Sequence, residues 1–358
     1  MLTSEQQAIT AILTQATQYR ASDVHLVPGS QPMLRVDGKL TPLPDASVLT
    51  ADQLRGYIEA TLTPAQLALL EKERDVRVAI SLEGKLRFRL VVAYQKGSLA
   101  LELRYIPDVL PGVKELGLPP IVEQIPSFTH GLVLLSGPYG SGRTTVLASI
   151  LQTINLTRAC RIVTLERPIE FLLAGEKSVI EQREIGTDVP SVAHGLDLLD
   201  REDADVVAIS ELEKPEDLQA TLRSAHAGRL IIATLPADSA VQTLEAMVAA
   251  FSLDEQTWAR KRLSEALQAV INLRLVPRVG GGRILVSEVL APSTPIRAGI
   301  RDGQFLQLAN TLQTSREEGS VSLDRSLAEL VRLNEIKPDD AEAVALDPTN
   351  FKFMISRS

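Results

Sequence analysis

The sequence predicts a two-domain α/β protein, with an α+β N-terminal domain ahead of a doubly wound α/β domain. Three observations carry this expectation. The chain has 358 residues, which suits two domains of ordinary size. Short alternating apolar runs and two helical stretches fill the first hundred positions, and Pro107, Pro111, Pro119 and Pro120 then punctuate the chain. From about residue 112 strand-like and helix-like stretches alternate, as in an open sheet covered by helices. The expected boundaries are 1–106 for the first domain, 107–120 for a linker and 121–358 for the second.

Composition bounds the function. Hydrophobic residues make up 45% of the chain but aromatics only 4%, so the cores must be built from Leu, Ile, Val and Ala. A net charge of -8 disfavours nucleic-acid binding through overall charge. The single cysteine, Cys160, excludes an internal disulfide, and as a free thiol before an apolar strand it is expected to be buried and inert. His25, His130, His194 and His226 lack metal-ligand spacing. There is no apolar run near the roughly 20 residues a spanning helix needs. The first residues show no basic region followed by an apolar core, so no signal peptide is expected. The expectation is a cytoplasmic protein, attached to a membrane only through partners.

Along the chain, Ala8, Ile9, Ile12, Leu13 and Ala16 give an apolar helical face over residues 4–20, with Ser4 and Gln7 as a candidate capping box. Residues 21–27 and 33–40 alternate, and Asp37-Gly38 is a hairpin turn signal. His25 is expected to be a hydrogen-bonded strand residue. Residues 51–73 carry one helical pattern through Leu54, Ile58, Leu62, Leu67 and Leu70. Strands are expected over 76–82, 86–94 and 99–105, the first two joined by a turn at Glu83-Gly84-Lys85.

The chemistry starts at Gly137-Pro138-Tyr139-Gly140-Ser141-Gly142-Arg143-Thr144-Thr145. An apolar strand pattern, Gly131–Ser136, precedes it and a helical pattern follows. The spacing is that of a phosphate-binding loop, G-x-x-x-x-G-K-[ST], with Arg143 in place of the lysine. Gly137, Gly140 and Gly142 let the backbone approach a phosphate, and Thr144 offers a hydroxyl to Mg²⁺. Arginine keeps the charge but is planar, forked and bulkier than lysine. Two further strands end in acids. Arg161–Glu166 leads into Arg167-Pro168-Ile169-Glu170, and Asp205–Ile209 delivers Ser210 and Glu211. Ligands bind at the carboxyl ends of strands in such sheets, so Glu211 is the candidate for polarising water and Glu166 for assisting at Mg²⁺ or water. Thr234 closes a fourth buried run and reads equally as a γ-phosphate sensor or as a strand-end hydrogen-bonding residue.

In order, these segments resemble the type II/type IV secretion ATPase superfamily, and within it the PilT-like pilus retraction ATPases. Ala21-Ser22-Asp23-Val24-His25 with Arg35-Val36-Asp37-Gly38 is similar to the family's A-S-D-[LI]-H and R-x-D-G. Arg87-Phe88-Arg89 is similar to its R-F-R strand. Gly131–Thr145, Thr164–Phe171, Gln182–Gly186, Asp205–Glu211, Gly228–Leu235 and Ser322–Leu327 resemble its Walker A, aspartate-box, Q-R-E-[VI]-G, Walker B, histidine-box and C-terminal segments.

The resemblance implies a PAS-like N-terminal domain, a RecA-like P-loop ATPase domain and a hexameric ring binding ATP and Mg²⁺. It implies nucleotide contacts from Gly137, Gly140, Ser141, Gly142, Arg143, Thr144 and Thr145, with Arg89 and Arg104 of the N-terminal domain reaching the phosphates. It also implies an inner-membrane pilus platform as partner. The chain departs from the family at Arg143, Arg167, Ser210, Arg229 and Pro236, and at Tyr94, where the family often has a further arginine. A retraction-type motor with weakened hydrolysis is therefore expected. The alternatives are a catalytically impaired regulatory subunit, in a ring of its own or mixed with an active paralogue, and a nucleic-acid-translocating P-loop ATPase.

Overall fold

The computed structural model describes residues 4–82, 86–314 and 319–356. It divides into two compact units, Met1–Val109 with Arg167–Leu172, and Leu110–Glu166 with Leu173–Ser358.

The first unit runs α1 (Ser4–Gln18), β1 (Asp23–Leu26), β2 (Met33–Val36), β3 (Lys39–Pro42), α2 (Ala51–Thr61), α3 (Pro64–Glu73), β4 (Asp75–Leu82), β5 (Leu86–Gln95) and β6 (Ser98–Ile106). Its strands form an antiparallel sheet in the order β3-β2-β1-β6-β5-β4. Asp37 and Gly38 both take positive φ, as the two-residue turn between β2 and β3 requires. The single helical pattern over 51–73 is two helices. Thr63 caps a new helix through Gln66, and Pro64 occupies its first turn, where the missing N–H costs nothing. Thr50 and Gln53 repeat the same reciprocal cap on α2. Ser4, expected to cap α1 with Gln7, is instead a helical residue of it, and the turn at 83–85 lies outside the described residues. Ile9, Leu13, Leu54 and Ile58 bury themselves with Leu26, Leu34, Phe88, Leu90 and Leu103 in the core of this unit.

One polar row crosses its sheet. Asp23 on β1 lies opposite Arg104 on β6, which lies opposite Arg89 on β5. Arg104 Nε donates to Asp23 Oδ1 at 2.7 Å. Burial alone would raise the Asp23 carboxyl, but the charge and hydrogen bond of Arg104 and the Ser22 hydroxyl outweigh it and hold it below its usual value. Arg89 Nη1 donates to Glu170 Oε1 at 2.8 Å, while Arg87 donates to the carbonyls of Glu170 and Ile169 at 2.5 and 2.6 Å. Two arginines thus hold the 167–172 segment within this unit.

The second unit begins with α4 (Pro120–Gln124), β7 (Gly131–Ser136), α5 (Arg143–Thr157), β8 (Arg161–Glu166), β9 (Val179–Glu184), α6 (Val192–Leu199) and β10 (Val206–Ile209). It continues with α7 (Pro215–Ser224), β11 (Leu230–Leu235), α8 (Ala240–Ala249), α9 (Gln256–Ala266), β12 (Leu267–Pro277) and β13 (Arg283–Leu290). The chain then passes through α10 (Thr294–Asp302), α11 (Phe305–Thr314), α12 (Leu323–Arg332), α13 (Pro338–Glu342) and α14 (Pro348–Ser356).

The strand order is β13-β12-β7-β11-β10-β8-β9, parallel throughout except for β13. Every residue of β7, β10 and β11 is buried, which is why these strands read as unbroken apolar runs. Leu132 and Leu134 enter the core on one face, and Val133 and Leu135 enter the core on the other. Cys160 is half-buried, with Sγ 3.3 Å from Ser178 Oγ, rather than fully enclosed. The Ser322–Leu327 segment starts α12, where the buried Asp324 carboxylate accepts the N–H groups of Leu346 and Asp347 at 2.8 and 3.0 Å. Among the described residues no helix is long and apolar enough to cross a membrane.

Because Asp23 is 3% exposed, removing its partner leaves a buried charge unpaired. Arg104→Ala is expected to destabilise the first unit by about 3 kcal/mol in urea denaturation near neutral pH. With the folded Asp23 pKa depressed, its stabilisation is present above the unfolded value of 3.8 and is lost as pH falls through the folded one, so the variant and wild type converge in acid.

Candidate functional site

The parallel strands β7, β11, β10 and β8 end together, and the residues that follow them build the site. After Ser136 the chain turns through Gly137, Gly140 and Gly142, with φ of 144°, 76° and 94°. A Cβ at Gly137 would lie 2.4 Å from the Leu273 carbonyl and 2.5 Å from Ser141 Oγ, so glycine is required there by both space and backbone. Gly142 is the N-cap of the 15-residue α5 and gives its free N–H groups no side-chain acceptor. Left-handed glycines leading into an uncapped helix start form an anion-binding nest backed by the helix dipole.

Arg143 opens α5. Its Nη2 donates to Glu211 Oε1 at 3.2 Å. Its Nη1 is buried without a hydrogen-bond partner, and so is Ser141 Oγ. A buried unpaired polar group costs about 1–3 kcal/mol, and more when charged. Two such groups beside a nest fit an oxyanion. Thr144 and Thr145 follow in the first turn of α5, both half-buried.

The acids are held differently. Glu211 follows the carboxyl end of β10. The Thr234 hydroxyl donates to the Ser210 carbonyl, and Leu212 N–H donates to the Thr234 carbonyl at 2.7 Å. Thr234 therefore does the strand-end work, fixing the turn that carries Glu211. Glu166 ends β8 and is buried, and its Oε1 accepts from Thr164 Oγ1 at 2.6 Å and Gln182 Nε2 at 2.8 Å. Arg143 and Glu211 are thus brought together, Glu166 is bound to its own sheet, and Arg104 and Arg89 are paired with Asp23 and Glu170 in the first unit. Arg229 stands at the amino end of β11, where its carbonyl accepts from Gly131 N–H at 3.0 Å. It is a strand length, about 20 Å, from the phosphate loop. Its substitution is remote from the site, whereas Pro236 follows the carboxyl end of the same strand.

Sequence reasoning missed a buried polar row behind the loop. Ser136 on β7 is opposite Asn272 on β12, which is opposite Glu288 on β13. Burial lifts the Glu288 carboxyl to about 7; the Ala240 N–H and Arg274 oppose the rise and Asp324 adds to it. The available signal was the polar letters inside the apolar run Val270-Ile271-Asn272-Leu273-Arg274-Leu275. No group of three or more His, Cys, Asp or Glu able to hold a metal occurs among the described residues.

A glycine nest between a buried strand and a helix, inside a parallel sheet with an acid after a neighbouring strand, defines a P-loop protein with a RecA-like core. The family model described as "Type II/IV secretion system protein" matches residues 3–283. The chain is 32% identical over 343 residues to the type IV pilus retractation ATPase PilT of Pseudomonas aeruginosa, covering 96% of this chain and 99% of that protein. It is 33% identical to a twitching motility protein of Neisseria gonorrhoeae, covering 90% and 86%. A crystal structure of the pilus retraction motor PilT with bound ADP superposes with a TM-score of 0.82 at 35% identity, covering 96% of this chain and 98% of that one. The chain belongs to the type II/type IV secretion ATPase superfamily and is homologous to its PilT-like members.

Glu288 makes a pH-dependent contribution that can be measured. Between its unfolded value of 4.5 and about 7 the folded carboxyl keeps a proton that the unfolded chain has lost, so stability falls as pH rises through that window. The expected fall is about 3 kcal/mol, and Glu288→Gln should flatten it in urea midpoints measured at about pH 5 and about pH 7.5.

Proposed function

We propose that this chain is a nucleotide-binding subunit of a hexameric, pilus-retraction-type ATPase ring whose hydrolysis is weakened. The carrying observation is Arg143, which keeps a cation at the phosphate loop but spends one edge of its fork on Glu211 and leaves the other buried and unpaired. The nest of Gly137, Gly140, Ser141 and Gly142, with the first-turn N–H groups of Thr144 and Thr145, would hold the nucleotide phosphates. Mg²⁺ held through Thr144 would neutralise charge on those phosphates. Glu211 would orient the attacking water, and its Oε1 is already engaged by the Arg143 guanidinium. Glu166 would hold its strand end beside the metal and water. Arg89 and Arg104, assigned to phosphate by the resemblance, are paired with Glu170 and Asp23.

Support for the ring and the pilus setting comes from homology. The relatives are named as pilus retraction and twitching motility proteins, and the similar solved structure is a retraction motor holding ADP. The expected partner is an inner-membrane pilus platform, reached from the cytoplasmic side. A regulatory role beside an active paralogue rests on the same arginine and differs only in how far turnover has fallen.

Binding of MgADP and MgATP together with steady-state turnover tests this reading. Nucleotide binding with slow hydrolysis is expected, with Arg143→Lys raising the rate roughly 10- to 100-fold and Glu211→Gln abolishing it. Fast wild-type turnover that Arg143→Lys does not improve would overturn the weakened-hydrolysis reading, and no nucleotide binding at all would overturn the whole proposal.

A further inference from the structure

The polar row behind the phosphate loop ties together two segments that the sheet leaves separate. Ser136 is the last residue of β7, immediately before Gly137, and it is fully buried. Its Oγ lies 2.9 Å from Asn272 Nδ2 and 2.7 Å from Thr243 Oγ1. Thr243 Oγ1 is also 2.7 Å from the Ser239 carbonyl. Each hydroxyl has one hydrogen. With Thr243 donating to Ser239, the Ser136 hydroxyl donates to Thr243 and accepts from Asn272, so the chain of bonds runs in one direction.

Asn272 is fully used. Its second Nδ2 hydrogen goes to the Ala237 carbonyl at 2.9 Å, and its Oδ1 accepts from Arg274 Nη1 at 2.9 Å. Arg274 Nη1 also reaches the Leu273 carbonyl at 3.1 Å, the oxygen that lies against Gly137. Arg274 Nη2 donates to the Asp238 carbonyl at 2.5 Å. Glu288 accepts from Ala240 N–H at 2.5 Å, at the start of α8. The bonds therefore join the base of the phosphate loop to residues 237–240, the connection between β11 and α8. Burying an arginine and an asparagine costs several kcal/mol unless every donor is met. A purely structural core would fill this space with apolar side chains, as the neighbouring row of Leu135, Ile271 and Val289 does.

We infer that Asn272 and Arg274 are positioning residues that hold the phosphate loop, through Ser136 and the Leu273 carbonyl, in a fixed relation to the β11–α8 connection. They touch no phosphate themselves. They set where Gly137 starts the nest, and so they act on the β-phosphate rather than on the nucleoside. The inference deepens the nucleotide-binding reading and rests on it for its ligand.

The test uses the full-length chain with MgADP and AMP as probes, since the second lacks the β-phosphate. Ser136→Ala and Asn272→Ala should each narrow the ADP-over-AMP affinity ratio about tenfold, and the double variant should lose no more than Asn272→Ala alone, because both cut one path. Arg274→Lys, which keeps the charge but not the fork, should narrow it as well. Amide hydrogen exchange without nucleotide should quicken at residues 137–142 and 237–240 while the β4–β6 hairpins stay protected. An unchanged ratio, additive losses or exchange raised evenly through the second unit would overturn the inference. Ser136→Ala removes only one hydroxyl, so it carries the test if Asn272→Ala does not fold. A wild type that binds neither probe would sink the functional reading, and the exchange pattern alone would then decide the inference.

Discussion

The site depends on one close approach, the backbone of Gly137 against the carbonyl of Leu273. A side chain at 137 would place a carbon 2.4 Å from that oxygen. Only glycine lets β7 leave the sheet in contact with β12, and only from there does the chain reach the start of α5 in time to wrap a phosphate. The buried strands on either side fix β7, and the polar row through Asn272 fixes the carbonyl. The helix start is then suited to an anion because its first N–H groups meet no side-chain cap, which is a consequence of geometry and not of any single side chain.

Arg143 changes what this geometry can do. Lysine in such a loop is a compact point charge, while arginine presents a planar fork that needs two acceptors. Here one acceptor is Glu211, the acid that follows β10 and that we propose orients water. The pair engages the cation that would meet phosphate and, by the same contact, occupies one oxygen of the carboxylate. One substitution therefore touches two functions. A ligand oxyanion meeting the open Nη1 would satisfy the guanidinium without releasing Glu211, which favours binding over turnover.

Much of the fold was legible because its signals are local. Asp37-Gly38, the glycines of the loop and the wholly apolar strands β7, β10 and β11 each follow from the chemistry of a few adjacent residues. The break in the 51–73 helix was legible too, since Thr63-Pro64 is a cap followed by a first-turn proline, but an uninterrupted apolar spacing masked it. What the letters could not show is lateral pairing. Ser136, Asn272 and Glu288 are far apart in sequence and meet only because β7, β12 and β13 lie side by side in one register. Arg104 and Asp23 are likewise partners across strands, so two arginines assigned to phosphate by resemblance carry structural bonds in this fold.

The same lateral geometry reweighs the departures from the family pattern. In sequence, Arg143, Arg167, Arg229 and Pro236 look like four changes around one phosphate. In the sheet, Arg229 lies at the far end of β11 and bonds to the Asp200 side, so it says nothing about phosphate chemistry. Arg167 directly follows Glu166 at the carboxyl end of β8 and begins the segment that Arg87 and Arg89 hold in the first unit. Pro236 sits at the correct end of its strand but contributes no donor. The case for weakened hydrolysis thus contracts from a count of altered motifs to one ion pair. That is a stronger basis, because a pair 3.2 Å apart ties the cation of the phosphate loop directly to the acid after β10, whereas a count of substitutions names no contact.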